Sequence, residues 1–304
     1  MSLYAFSGAI ELGLAYGLMA LGVYLTFRVL DFPDLTVDGS LTLGAAVSAV
    51  CVTKGLNPFL SLLPAMAAGF AAGTVTGFLT TKLKILHLLA SILTMTALYS
   101  VNIRVMGGRP NIALVGMPTV FDPIRSLDVS PFLASNILFV ILVSAVILAL
   151  VWLIRTEYGQ ALLATGANPK MITSLGVNTN FTVITGVGIS NSLVALSGAL
   201  IAQNQGIADV GMGVGTIVAG LASIVIGETI LGGRRIAVVI LSVVMGSVVY
   251  RLAIAAALSF KPWGIAFQPS DLKLLTAALV VAALVLPRFR DSLRRKGGKA
   301  ARDA

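Results

Sequence analysis

Residues 132–154 read Phe132-Leu-Ala-Ser-Asn-Ile-Leu-Phe-Val-Ile-Leu-Val-Ser-Ala-Val-Ile-Leu-Ala-Leu-Val-Trp-Leu-Ile154, with no charged side chain. A helix needs about 20 consecutive apolar residues to cross a bilayer, so this stretch reads as a transmembrane helix. Its surroundings agree. Of 304 residues, 57% are hydrophobic and 11% charged, against about 25% charged in soluble domains. So few charges cannot cover a globule of this size, and the mean hydropathy is +0.98. A soluble enzyme, a disordered chain and a disulfide scaffold are all excluded. Cys51 is the only cysteine, so it has no intrachain partner and makes no cysteine metal cluster.

Nine apolar segments are predicted in all: Ala5–Phe27, Gly39–Val52, Phe59–Leu79, Ile85–Val101, Phe132–Ile154, Phe181–Ala202, Gly213–Leu231, Ile236–Leu258 and Leu272–Leu286. The second and ninth are short for a full crossing. The expected fold is an all-α integral membrane protein, a polytopic helical bundle forming a single transmembrane domain over 1–304. The first segment has no basic flank or small-residue cleavage site and does not read as a signal peptide. The net charge is +9, and seven of the 21 Lys and Arg follow Leu286. This suits a cytoplasmic tail (288–304) beside anionic lipid rather than nucleic-acid binding. Nine crossings then place the N-terminus outside. The inner side collects Arg28, Lys82, Lys84, Arg155, Lys170, Arg234 and Arg235, the outer side Lys54, Arg109, Arg125, Lys261 and Lys273.

Small residues let helices approach closely in lipid. Gly13 and Gly17, then Gly69, Gly73 and Gly77, then Gly211 and Gly215 have that spacing and are expected to serve packing. Charge enters the apolar run at Arg28-Val-Leu-Asp-Phe-Pro-Asp-Leu-Thr-Val-Asp-Gly-Ser40. Three aspartates with Pro33 and Gly39 fit a broken helix lining a cavity, as in transporters, or an ordinary inner loop. Asp31, Asp34 and Asp38 also have the spacing of the Mg²⁺-binding acidic motif of intramembrane prenyltransferases, without a second acidic cluster to complete it. An ion-coupled secondary transporter is a further alternative.

The second polar stretch is Arg155-Thr-Glu-Tyr-Gly-Gln-Ala-Leu-Leu-Ala-Thr-Gly-Ala-Asn-Pro-Lys-Met-Ile-Thr-Ser-Leu-Gly-Val-Asn178. Gln160–Thr165 can form a short helix ended by Gly166, and Asn168-Pro169 can start another. Such a hairpin, on the basic side and longer than a usual connection, reads as a docking surface for a soluble partner.

This stretch resembles the coupling segment of bacterial ABC importer permeases, in particular those for branched-chain amino acids and ribose-type monosaccharides. Gly159, Ala164, Gly166, Asn168, Pro169, Gly176 and Val177 match that family's G-R-x-x-x-A-x-G-x-N-P-x-A-A-x-x-x-G-I pattern, and Gln160 and Met171-Ile172 depart from it. Pro33–Leu41, Ser91–Tyr99 running on to Gly107-Gly108-Arg109-Pro110, and Gly232-Gly233-Arg234 resemble three further family motifs in the same order; Arg235 stands where Gly is common. The resemblance starts at the family's second helix, which also implies an outer N-terminus.

The resemblance implies a permease subunit of an importer in the bacterial inner membrane, not itself an enzyme, moving an amino acid or similar metabolite. ATP and Mg would be bound by a cytoplasmic ABC ATPase subunit, and no catalytic residue, metal or cofactor is expected in this chain. The other partners would be an extracytoplasmic substrate-binding protein, a second permease copy and membrane lipid. Glu157, Tyr158, Gly159, Gly166, Asn168, Pro169 and Gly176, within a coupling segment over 155–180, would contact the ATPase. Asp34, Asp38, Ser40, Thr94, Met95 and Asn191 are the pathway candidates. Glu228 is expected to pair with Arg234, and His87 to have a structural role near the inner face. The chain has no G-x-x-x-x-G-K-[ST] loop, so it cannot hydrolyse ATP by that route.

Overall fold

A computed structural model of the chain describes residues 3–125, 131–233 and 235–259, with Leu274, Ala277, Ala278 and Val281. The predicted ninth segment (Leu272–Leu286) and the basic tail lie otherwise outside the described residues. Eleven α-helices are present among the described residues: α1 (Leu3–Tyr24), α2 (Thr36–Thr53), α3 (Leu62–Thr81), α4 (His87–Val105), α5 (Asp122–Arg125), α6 (Pro131–Arg155), α7 (Glu157–Ala167), α8 (Pro169–Ser174), α9 (Thr179–Gln205), α10 (Thr216–Leu231) and α11 (Ile236–Ser259). Seven of them are long and apolar enough to cross a membrane, and α10 is apolar but shorter. The polytopic helical fold is therefore as expected. The second segment, predicted short, is an 18-residue helix starting at Thr36. The seventh begins later than predicted because Gly213–Gly215 form an irregular approach to α10.

The core is organised around α9. Ser190 and Ser197 donate to the Gly22 and Ala15 carbonyls of α1 at 2.6 and 2.7 Å, and the reversed order of these contacts makes the two helices antiparallel. On another side α2 lies against α9 with almost no side chain between them. A Cβ at Gly44 would collide with the Ala195 carbonyl, and one at Gly198 with the Leu41 carbonyl. On a third side, Gly69, Gly73 and Gly77 bring α3 onto Ala195, Asn191, Val187 and Ile184. Gly13 and Gly17 do the same for α1 against Val248 and Val244 of α11. The expected packing role holds for these five glycines. It does not hold for Gly211 and Gly215, which lie in the loop before α10, where Gly215 takes φ +82° and begins the helix.

Toward the C-terminal end of α9, Gln203 ties three elements together. Its Nε2 donates to Ser48 Oγ (2.9 Å) and Ser61 Oγ (3.0 Å), and its Oε1 accepts the Val120 amide at 3.0 Å. Buried polar groups in a membrane protein must find such partners internally. The same end holds two three-residue strands, β1 (Asn111–Ala113) and β2 (Ile207–Asp209), paired antiparallel; the sequence reading expected only helices. After α4 and after α9 the chain turns through left-handed glycines, Gly107–Gly108 and Gly206. It leaves both helices as extended backbone side by side, so the freed amides and carbonyls pair.

The backbone contact between α2 and α9 makes a direct test. Gly198→Ala is expected to lower the thermal midpoint of the detergent-solubilised protein, since relieving such overpacking costs about 1–3 kcal/mol. Gly8→Ala, on a face of α1 where an added Cβ meets nothing within 4 Å, should leave the midpoint unchanged or raise it.

Candidate coupling and pathway site

The polar stretch after α6 folds into the expected helical hairpin, with different stop signals. Thr156 caps α7, its hydroxyl accepting the Gly159 amide at 3.2 Å. Glu157 follows in the first turn, exposed, where a carboxylate suits the helix dipole. Asn168 is both the last residue bound to α7 and the cap of α8, with its Oδ1 accepting the Met171 amide at 3.1 Å. Pro169 lacks an N–H and drives Asn168 out of helical angles, so the chain must stop there and start again. Gly176 takes φ +88° to close α8, and Asn178 caps α9 through the Phe181 amide at 3.2 Å.

Gly166 does not end a helix, contrary to the sequence reading; it and Gly159 both lie inside α7. A Cβ at Gly159 would strike the Leu153 carbonyl at the end of α6, and one at Gly166 would strike the Val29 carbonyl at the end of the first span. They are small so that α7 can rest on backbone. Tyr158 adds a hydrogen bond to the Thr185 hydroxyl on α9. Burial raises the Tyr158 pKa above the usual phenol value, the Thr185 bond opposing this, so the hydroxyl stays neutral and retains the bond. Met171 on α8 and Leu175 just after it are exposed.

The surface on which Gly166 rests is the aspartate-bearing break. The first span ends in a π-helical turn, Leu25–Val29. The chain then turns at Asp31, φ +52°, passes through Leu30 and Phe32, both buried, and enters α2 at Thr36. Asp34 is completely buried. It accepts the Thr36 amide at 2.9 Å and the Asn191 Nδ2 at 2.7 Å. Asn191 also donates to the Val187 carbonyl at 3.0 Å, and Thr36 shares a hydroxyl pair with Thr76 of α3 at 2.8 Å. Since Asn191 is near the midpoint of α9, this is a break within the helical core and not a loop outside it.

The pathway candidates therefore separate into two groups. Asp34 and Asn191 bind each other, and Ser40 and Thr94 are buried, Thr94 donating to the Ala90 carbonyl at 3.0 Å. Asp38 and Met95, with Thr42, Tyr99, Asn102 and Val214, surround a space of about 280 Å³. Asp38 also caps α10 across the fold. Its Oδ2 accepts the Gly215 amide (2.8 Å), and its Oδ1 accepts the Thr216 hydroxyl (3.0 Å) and the Ile217 amide (2.9 Å).

Asp31 is exposed, Asp34 faces Asn191 and Asp38 faces α10, so the three carboxylates do not converge. Among the described residues no group of three or more His, Cys, Asp and Glu is placed to hold a metal, and the prenyltransferase alternative loses its geometric basis. Glu228 pairs with Arg28 (Nε to Oε1, 2.8 Å); the partner expected for it, Arg234, lies outside the described residues. His87 sets its ring edge against Phe32, centroids 4.6 Å apart, a packing role as expected.

Comparison with known proteins gives this arrangement a family. Residues 6–285 match the family described as branched-chain amino acid transport system / permease component, and the chain belongs to it. It is thus a multi-pass permease component of a membrane transport system. The tyrosine transport system permease protein of Clostridioides difficile is 39% identical over 94% of this chain and 92% of its own. The galactofuranose transporter permease protein YtfT of Escherichia coli is 26% identical over 90% of this chain and 76% of its own. The solved structure of PsaBC from Streptococcus pneumoniae in complex with Fab aligns with TM-score 0.50 at 16% identity, over 92% of this chain and 89% of that one; it bears on the fold alone.

Asp38→Ala is expected to free the Gly215 and Ile217 amides and to cost about 0.5–2 kcal/mol, as loss of a helix cap does. Hydrogen exchange over 213–220 should accelerate while exchange in α9 stays slow. Unchanged protection at those amides would show that Asp38 does not hold α10.

Proposed function

We propose that this chain is one half of an ATP-driven importer. It would move an amino acid or similar small solute inward, with ATP hydrolysed by a separate cytoplasmic subunit that docks on α7–α8. The observation that carries this reading is the seat of α7. The hairpin projects Met171 and Leu175 outward and rests through Gly166 on the backbone where the first span breaks. A push on the hairpin meets main chain, not a compressible side-chain layer. The amino-acid preference is supported by the tyrosine transport system relative, which is more similar to this chain than the galactofuranose transporter relative.

In this reading the N-terminus faces outward and the basic tail the cytoplasm. A second permease copy completes the pathway, and a binding protein delivers the solute from outside. Two copies related by a twofold axis form the commonest closed assembly. Glu157 offers a charge to the ATPase, and Asn168-Pro169 fixes the angle of the hairpin.

The test is ATP-coupled uptake by the permease reconstituted with its ATPase and binding protein. Gly166→Val places a branched side chain against the Val29 carbonyl, so α7 must lift. Coupled uptake should fall roughly 2- to 30-fold, corresponding to 0.5–2 kcal/mol of lost coupling, while membrane insertion is retained. Glu157→Lys should weaken ATPase association. Wild-type assembly and uptake in both variants would remove the coupling role from this segment.

A further inference from the structure

Arg251 lies within the span Ile236–Leu258 of α11, at a depth where a charged side chain is costly and is ordinarily kept for a partner or a function. Its guanidinium is stacked on Tyr16 of α1, 3.8 Å from the ring centroid. Stacking uses the π-face of the cation and leaves the in-plane N–H groups available to donate. Nε is buried and makes no hydrogen bond. Among the described residues the one ion pair is Arg28 with Glu228, and none joins a carboxylate to Arg251.

The same side chain lines a cavity of about 330 Å³ between α1, the start of α10 and α11, with Tyr16, Thr216, Val218, Tyr250 and Ile254. That volume is at the lower end of small-molecule sites and suits one amino-acid-sized solute. The walls are aromatic and aliphatic, with Arg251 as the one formal charge among the lining residues. The Gly215 amide is already taken by Asp38, and the guanidinium is the one cationic donor among the lining residues. Val214 lines both this cavity and the one that holds Asp38. A cation and a carboxylate thus flank one loop from opposite sides.

We propose that Arg251 is the carboxylate-recognition residue of a solute site in this cavity, which takes a small amphipathic carboxylate with its apolar body against Tyr250 and Ile254. A carboxylate accepts the planar, paired N–H geometry of a guanidinium as two parallel hydrogen bonds. The inference rests on the importer reading for its place on a transport route, and on the cavity alone for its chemistry.

The test separates these two. The permease in nanodiscs is titrated with L-tyrosine, 4-hydroxyphenylpropionate (carboxylate without ammonium) and tyramine (ammonium without carboxylate), and its thermal midpoint is followed. Both carboxylates should raise the midpoint by roughly 2–4 °C at about tenfold excess over Kd, and tyramine should not. Arg251→Gln should abolish the rise, and Arg251→Lys, which retains charge but not the fork, should restore part of it. If Arg251→Gln does not assemble, the contrast between carboxylates and tyramine on the wild-type protein still decides. Equal shifts with tyramine, no shift with either carboxylate, or undiminished shifts in Arg251→Gln would overturn the proposal. So would an anionic lipid that copurifies with wild type and is lost from Arg251→Gln. None of these outcomes depends on ATP-driven uptake, whose absence in the reconstituted wild type would instead overturn the importer reading.

Discussion

Everything in this fold leans on the closeness of backbone to backbone around α9. In water, burial of apolar surface would draw helices together, but lipid is as apolar as leucine and that force is lost between membrane spans. What remains is van der Waals contact and hydrogen bonding, and both weaken steeply with distance. Gly198 against Leu41, Gly44 against Ala195, and Gly69 and Gly73 against Asn191 and Val187 place α2 and α3 on α9 with no side-chain spacer. Ser190 and Ser197 are short enough to reach α1 carbonyls in the same contacts. Small residues here are therefore both the means of approach and the source of the polar bonds that secure it.

That closeness makes a break in the first span tolerable. Irregular backbone inside a membrane protein persists only where protein covers it and its polar groups are satisfied. Between Val29 and Thr36 the cover comes from α7 below and α9 alongside, and the satisfaction comes from Asp34, Asn191, Thr36 and Thr76. A buried carboxylate without such partners would be expensive. The second irregular stretch, Gly206–Gly215, meets the same requirement differently. Its amides are drawn to β1 at one end and to Asp38 at the other.

The helices were legible because apolar length is a local property, readable from the chain alone. The hairpin was legible at Asn168-Pro169, since a proline dictates backbone angles wherever it stands. Partnership was not legible. Asp34 and Asp38 differ by one turn of sequence, yet one faces Asn191 and the other the start of α10, and nothing local distinguishes them. The glycines mislead for a related reason. Gly176 and Gly166 look equally like turn residues, but only Gly176 has a positive φ, whereas Gly166 is small because Val29 lies against it. Asp38 as the cap of α10 left one trace, the Gly215-Thr216 pair at the helix start, whose partner 177 residues away no spacing rule would find.

The two constraints meet at Leu30. Gly186 of α9 is approached by both Leu30 and Leu162 of α7, and Gly166 of α7 lies on Val29 and Leu30. The hairpin, the break and the central helix therefore share one contact point at which two of the three surfaces are backbone. Packed interiors respond to displacement by changing between discrete arrangements and not by continuous deformation. A shift of α7 must move the Val29–Leu30 main chain or lose contact with it. A shift of that main chain acts through Phe32 and Pro33 on Asp34, whose bonds to Thr36 and Asn191 tie the start of α2 to the middle of α9. Because α2 begins there and carries Asp38 on its first turn, movement at the hairpin has a short covalent route to the cap of α10 and to the loop between the two cavities. A side-chain spacer at Gly166 or a longer loop in place of 30–35 would interrupt that route, and the chain has neither.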